Sequence, residues 1–110
     1  MNNTPPVKEF ILCAAIHYKD GKVHTHQPVN IESGLVVCGM RHCNCFSIVA
    51  GLLGNTERKV PVGPNDQGFI TSLNRYVDRK EGYHIAYGAK QIKVKSLDDP
   101  DPELYSEDLY

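Results

Sequence analysis

The sequence predicts a single α+β domain, with a small antiparallel β-sheet in the N-terminal half and two helices later in the chain. Short strand-like runs occupy residues 10–18 and 35–38. Apolar residues then recur at helical spacing across residues 41–53 and 79–92. The length of 110 residues fits one domain. Because a domain this small buries only about 65% of its unfolded surface, a second copy is expected to help complete its core.

The strands are predicted from local composition and one turn signal. Residues 10–18 read FILCAAIHY and give the first strand, and Asp20-Gly21 is typical of a tight turn. Residues 22–26 are therefore expected to return beside the first strand. Residues 35–38, LVVC, form a continuous apolar run, which indicates a buried strand.

Each predicted helix has a boundary signal. Gly54 follows residues 41–53 and is a plausible C-terminal stop. Asp78 and Glu81 have the spacing of a capping box at the start of residues 79–92, with Asp in place of Ser or Thr.

The remaining segments are expected to be less regular. Residues 1–7 contain two consecutive prolines and are interpreted as a loose N-terminus. Residues 56–62 fit either a strand or a loop, and residues 69–71 fit a short extended piece. Residues 98–110 form an acidic tail whose last residues, LYSEDLY, are apolar enough to dock on the domain.

The sequence also predicts where in the cell the protein is located. No apolar run approaches the roughly 20 residues that a membrane-spanning helix needs. The N-terminal MNNTPPVKEF lacks the basic and apolar regions of a signal peptide. We therefore expect a cytoplasmic protein without a membrane partner.

The net charge of −1 conceals a segregation of charge along the chain. Residues 56–95 carry eight basic and four acidic side chains, whereas residues 96–110 carry six acidic and no basic ones. A DNA or RNA polymer usually requires a broad basic field. A compact anion needs only a few well-placed cations, so the pattern favours a small anionic ligand.

The most informative motif is QGFITSLNRYVDRKE, residues 67–81. Arg75 and Arg79 offer guanidinium groups that bind phosphate in a bidentate manner, and Phe69 offers a ring that can stack on a base. Core packing of Phe69 and a salt-bridge role for the arginines are the structural alternatives. The polar side chains of the same motif add hydrogen-bonding groups: Thr71, Ser72, Asn74 and Asp78.

A second candidate site is Arg41-His42, at a predicted strand-to-helix turn. Free N–H groups at a helix start and a nearby cation favour an anion there. An exposed helix surface is the alternative interpretation of these two residues.

The four cysteines are interpreted as structural, with no metal, cofactor or disulfide. Cys13 and Cys38 lie in apolar runs and are expected to pack. Cys38, His42, Cys43 and Cys45 could supply zinc ligands, but a helix from residue 41 would scatter them. Disulfides are disfavoured because nothing in the sequence suggests secretion.

Three blocks of the sequence resemble a known group of small phage proteins. They are SGLVVCGMRHCNC (residues 33–45), QGFITSLNRYVDRKE (67–81) and the C-terminal LYSEDLY. Together they resemble the first Thoeris anti-defence family, the phage sponges for cyclic ADP-ribose signals. The resemblance spans residues 11–110. It departs from the family pattern at Cys43, where that pattern has a second histidine.

The resemblance implies binding without catalysis. Such proteins sequester a cyclic nucleotide immune signal in the cytoplasm of the infected bacterium; some also hold cyclic oligonucleotides of the CBASS type. It also implies homo-oligomers, dimers that assemble further with a hexamer as one outcome, whose pockets lie between subunits. In one such pocket, Phe69 would stack on the adenine, and Arg75 and Arg79 would neutralise the diphosphate. The hydrogen-bonding groups would be Thr71, Ser72, Asn74 and Asp78. Arg41 and His42 are the next candidates to line the pocket.

Two other classes of function remain open. One is a small nucleotide-cleaving enzyme that uses His42 as a general base. The other is an interaction protein that inhibits a host defence effector directly, with residues 98–110 mimicking a nucleic acid.

Overall fold

Four antiparallel strands form one sheet, and two helices pack against it. The structure, a computed structural model, describes residues 8–53, 63–92 and 99–109. Its elements, in chain order, are β1 (Ile11–Tyr18), β2 (Leu35–Gly39), α1 (His42–Leu53), β3 (Gln67–Thr71), β4 (Tyr76–Asp78) and α2 (Arg79–Gly88). Short 3-10 turns lie at Pro64–Asp66 and Ser106–Asp108.

The predicted fold class is confirmed, as a single α+β domain with an antiparallel sheet and two helices. The strand order is β2-β1-β3-β4, so β1 is central and pairs with both β2 and β3. The short extended piece predicted at residues 69–71 is part of β3. The regions 1–7 and 56–62 lie outside the described residues.

The predicted return strand at residues 22–26 is wrong, because β2 occupies the position beside β1. The backbone N–H of Lys22 donates to the side chain of Asp20, and His26 has a left-handed φ of 59°. This local hydrogen bond and the left-handed residue keep the segment from adopting an extended backbone. Val23 is 83% exposed, so no apolar face holds the segment against the sheet.

The two helices begin where the sequence predicts, but α2 ends early. Helix α1 starts at His42, one residue after the predicted start. Asp78 caps α2 by accepting from the backbone N–H of Glu81 at 2.8 Å. Helix α2 stops at Gly88 instead of residue 92, since Lys90 adopts a left-handed φ of 60° and reverses the chain.

The core lies between one face of the sheet and the two helices. Alternate residues of neighbouring strands point into it, as the pairing of Ala14 with Phe69 and of Phe69 with Val77 requires. Leu104 of the C-terminal segment is fully buried in the same cluster, which confirms that the tail docks on the domain.

No helix within residues 8–53, 63–92 and 99–109 has the length and apolar character that crossing a membrane would take.

Candidate functional site

A recess of about 160 Å³ lies where β4 passes directly into α2. Asp78 is both the last residue of β4 and the N-cap of α2, so no loop separates strand from helix. Arg79 is therefore held at the end of the sheet, beside the first residue of β3. The recess is lined by Asn65, Gln67, Asp78, Arg79, Lys80 and Glu103.

Arg79 is the central cation of this recess. Its Nη2 donates to Oε1 of Gln67 at 2.7 Å, and its guanidinium carbon lies 4.7 Å from the centre of the Tyr105 ring. Its Nε–H is buried and finds no acceptor within the described part of the chain. A buried unsatisfied donor costs about 1–3 kcal/mol. Such an atom marks a place where a ligand or a water can supply the missing acceptor.

The charge around the recess is mixed. Lys80 Nζ lies 2.7 Å from Asp101, and this carboxylate raises the pKa of Lys80. Asp78 and Glu103 add carboxylates to the lining. A bare anion is opposed by these two groups, whereas a ligand with phosphates and hydroxyls can use both signs of charge.

His42 and Arg41 lie close to the recess without lining it. The Nε2 of His42 is 2.8 Å from the carbonyl oxygen of Gly68, so this nitrogen carries the proton and donates. The ring is 8% exposed and meets the edge of Phe69 at 5.1 Å between centroids. Arg41 Nη1 lies 3.7 Å from the carboxylate of Glu107.

Burial, followed by the charge of Arg79, lowers the pKa of His42, while its bond to Gly68 and the charge of Glu107 act in the opposite direction. The unfolded chain therefore binds a proton on His42 more readily than the folded one. The free energy of unfolding should fall as the pH drops below about 6.5, the ordinary pKa of histidine.

Urea denaturation at pH 7.5, 6.0 and 5.0 checks this prediction. The control is His42→Gln, which keeps an N–H donor for Gly68 but does not titrate. We expect the wild type to lose more stability than the variant across this window. Parallel losses in the two proteins would contradict the assignment.

Arg75 belongs to an ion-pair network, which is the salt-bridge role considered as the alternative for the arginines. Its Nε and Nη2 each donate to the carboxylate of Glu9 at 2.8 Å, and Nη2 also donates to Glu81 at 2.9 Å. These bonds raise the pKa of Arg75 and lower that of Glu9. The hydroxyl of buried Thr71 donates to Glu9 as well. Arg75 does not line the recess.

Phe69 cannot stack on an adenine as predicted, because its ring is fully buried in the core. Its pairing with Ala14 directs it to the same face of the sheet as the helices. The alternative interpretation, core packing, is the correct one.

Ser72 and Asn74 lie in the turn between β3 and β4. Ser72 Oγ accepts from the backbone N–H of Phe10, and Asn74 adopts a left-handed φ of 58°. This turn is at the far end of β3 from Gln67, about 17 Å away at the usual rise per residue. The structure therefore divides the residues that the sequence predicted as one site. Asp78 and Arg79 lie at the recess, whereas Thr71, Ser72, Asn74 and Arg75 lie at the opposite end of β3.

The cysteines occupy different environments. Cys45 is fully buried, and burial raises its pKa to about 11. Cys13 is half-buried, and its interaction with the neighbouring thiol of Cys38 lowers the pKa of Cys13. Cys38 and Cys43 are exposed, so the predicted packing role of Cys38 is wrong. Among the described residues, no three His, Cys, Asp or Glu side chains are grouped so that they could hold a metal.

Several residues in or beside the recess were not given a role in the site from the sequence. Gln67 and Lys80 lie within the 67–81 motif, and Tyr105 lies within LYSEDLY. These two blocks meet at Arg79, where the Tyr105 ring covers the guanidinium. The presence of both blocks in the sequence was the signal that could have pointed to these residues.

The fold and the recess define a small α+β domain with a guanidinium-centred recess at a strand-to-helix junction. The chain belongs to the phage T4 y16D protein family, whose model matches residues 10–110. It is thus a member of a phage protein family. Comparison with curated proteins and with solved structures finds no match.

Proposed function

We propose that this protein is a phage anti-defence protein that binds a cyclic nucleotide immune signal, a cyclic ADP-ribose isomer, and sequesters it without degrading it. The observation that carries the proposal is Arg79, which lines the recess next to the Tyr105 ring and whose buried Nε–H has no acceptor among the described residues. Membership of a phage protein family is compatible with this role.

The chemistry of the recess fits a compact nucleotide. Arg79 and Lys80 can neutralise a diphosphate. The amides of Asn65 and Gln67 and the nearby carboxylates can bind ribose hydroxyls or base edges. Tyr105 replaces Phe69 as the aromatic group next to the phosphates.

The size of the recess limits what one protomer can enclose. Its volume of about 160 Å³ is smaller than the roughly 300–1,000 Å³ of typical ligand pockets. It accommodates a diphosphate with part of a ribose, so the rest of the ligand requires cover from elsewhere. We include in the proposal that a second copy of the chain supplies this cover.

Helix α1 supports the proposed homo-oligomer. Its twelve residues include no Lys, Arg, Asp or Glu. Phe46 and Ile48 are 40% and 43% exposed, on the two flanks of the helix face that buries Cys45 and Val49. An uncharged helix with exposed apolar side chains favours contact with another protein surface.

Light scattering after size-exclusion chromatography tests the oligomer. We expect the wild type to be at least a dimer and the double variant Phe46→Glu, Ile48→Glu to be a monomer, because two buried charges would oppose the contact. Val23→Glu is the control, since Val23 is also exposed but lies outside α1. A monomeric wild type, or a double variant of unchanged mass, would rule out this interface.

The lining of the recess favours binding over cleavage. Among residues 8–53, 63–92 and 99–109, its side chains are amides, carboxylates, a guanidinium and an ammonium, without a Ser, Cys or His. His42, the general base of the enzyme alternative, is buried with Nε2 bonded to Gly68. An enzyme therefore remains the second interpretation.

Incubation followed by denaturation separates these two functions. Purified protein is mixed with cyclic ADP-ribose in molar excess over the nucleotide, filtered, then heated, and the released nucleotide is identified by chromatography. We expect the filtrate to be depleted of nucleotide and the heated sample to return it intact. Recovery of linear ADP-ribose would instead identify an enzyme, and an undepleted filtrate would refute binding.

A further inference from the structure

The acidic C-terminal segment contacts three cations at or near the recess. Asp101 lies 2.7 Å from Lys80 Nζ, and Glu107 lies 3.7 Å from Arg41 Nη1. Between them, the ring of Tyr105 packs against the guanidinium of Arg79, whose carbon lies 4.7 Å from the ring centre. An aromatic ring flanked by carboxylates resembles, in chemical terms, a base flanked by phosphates.

The segment is anchored in its middle by Leu104. This side chain is fully buried and packs near Gly82 of α2, and its backbone N–H donates to the carbonyl of Arg79 at 2.9 Å. The backbone N–H of Tyr105 is also bonded, to the side chain of Asp108. These contacts fix the position of the segment regardless of its charges.

The charged contacts on either side of the anchor are exposed and easily exchanged. Asp101 and Lys80 are 56% and 55% exposed, and Glu107 is 69% exposed. Exposed ion pairs contribute little to stability. A diphosphate offers a cation more charge and a closer geometric match than a single exposed carboxylate does.

We propose that residues 101–107 form a strap that competes with the ligand for the cations in and beside the recess, which are Lys80, Arg79 and Arg41. Binding of a nucleoside diphosphate group releases Asp101 and Glu107, while Leu104 keeps the strap attached. This inference rests on the proposed function. Because a ligand must find these cations unoccupied, the strap lowers the affinity for every anion that displaces it by the same factor.

The test uses the full chain with two probes, cyclic ADP-ribose and inorganic pyrophosphate, titrated by calorimetry. The variant Asp101→Asn, Glu107→Gln removes both competing charges without shortening the side chains. We expect it to bind each probe about fivefold more tightly than the wild type, from the usual strength of two exposed pairs. Glu32→Gln, in the loop before β2, removes the same kind of charge outside the strap and should change nothing.

A fluorescent reporter follows the strap itself. The chain contains no tryptophan, so Tyr105→Trp introduces a single indole over Arg79 and preserves the ring–cation contact. We expect its emission to shift to longer wavelength when cyclic ADP-ribose or pyrophosphate binds.

The outcomes separate the strap from the function on which it rests. If the probes bind but the double variant gains no affinity over Glu32→Gln, or the indole emission is unmoved by binding, the strap is refuted and the proposed function stands. If neither probe binds any of the proteins, both the proposed function and the strap are refuted.

Discussion

Gly68→Ala is expected to prevent stable folding. A methyl group at this position would overlap the carbonyl oxygen of Val77 on the neighbouring strand and lie 2.9 Å from the hydroxyl of Tyr76. Backbone atoms of a paired strand cannot move aside, so β3 and β4 would have to separate. We expect a loss of at least about 4 kcal/mol, a large part of the stability of a small domain.

The same change would also disturb the recess. The carbonyl of Gly68 is the acceptor for His42, and β4 leads directly into Asp78 and Arg79. Urea denaturation measures the effect, with Gly88→Ala as a control, because a methyl group there meets no atom within 4 Å. A Gly68→Ala protein as stable as the control would contradict the register of β3 with β4.

Arg79→Gln should weaken the binding of cyclic ADP-ribose about 100-fold, or about 2.7 kcal/mol. The change removes the positive charge and the buried Nε–H donor but keeps a side chain of similar shape. The fold should be retained, because Arg79 makes one hydrogen bond to a side chain, Gln67, in the described structure.

Calorimetry with matched variants measures this loss. Lys22→Gln removes one positive charge from an exposed turn away from the recess and should bind as the wild type does. Arg75→Gln should bind close to the wild type as well, since Arg75 is engaged by Glu9 and Glu81. Loss of binding in Arg75→Gln with normal binding in Arg79→Gln would reverse the roles assigned to the two arginines.

Local signals in the sequence predicted the elements whose boundaries depend on near neighbours. The apolar run of β1, the start of α1 and the Asp78 cap are all set by residues within one turn or one strand. The same locality explains why Asp78 and Arg79 were correctly placed together at a helix start. The hairpin at Asp20-Gly21 failed because partner choice between strands is a long-range matter.

Long-range contacts account for what the sequence did not predict at the site. Arg75 pairs with Glu9, which lies 66 residues away in the sequence, so the residues around Arg75 do not predict this partner. The face on which Phe69 lies follows from its pairing with β1, which the sequence alone does not specify. The docking of Tyr105 on Arg79 likewise depends on where Leu104 packs in the core.

The most direct measurement is a crystal structure of the protein with cyclic ADP-ribose. We expect a diphosphate oxygen about 2.8–3.0 Å from Nε of Arg79, with Lys80 on the same phosphates and the nucleotide intact. A nucleotide bound elsewhere, with Nε of Arg79 still lacking an acceptor, would contradict it.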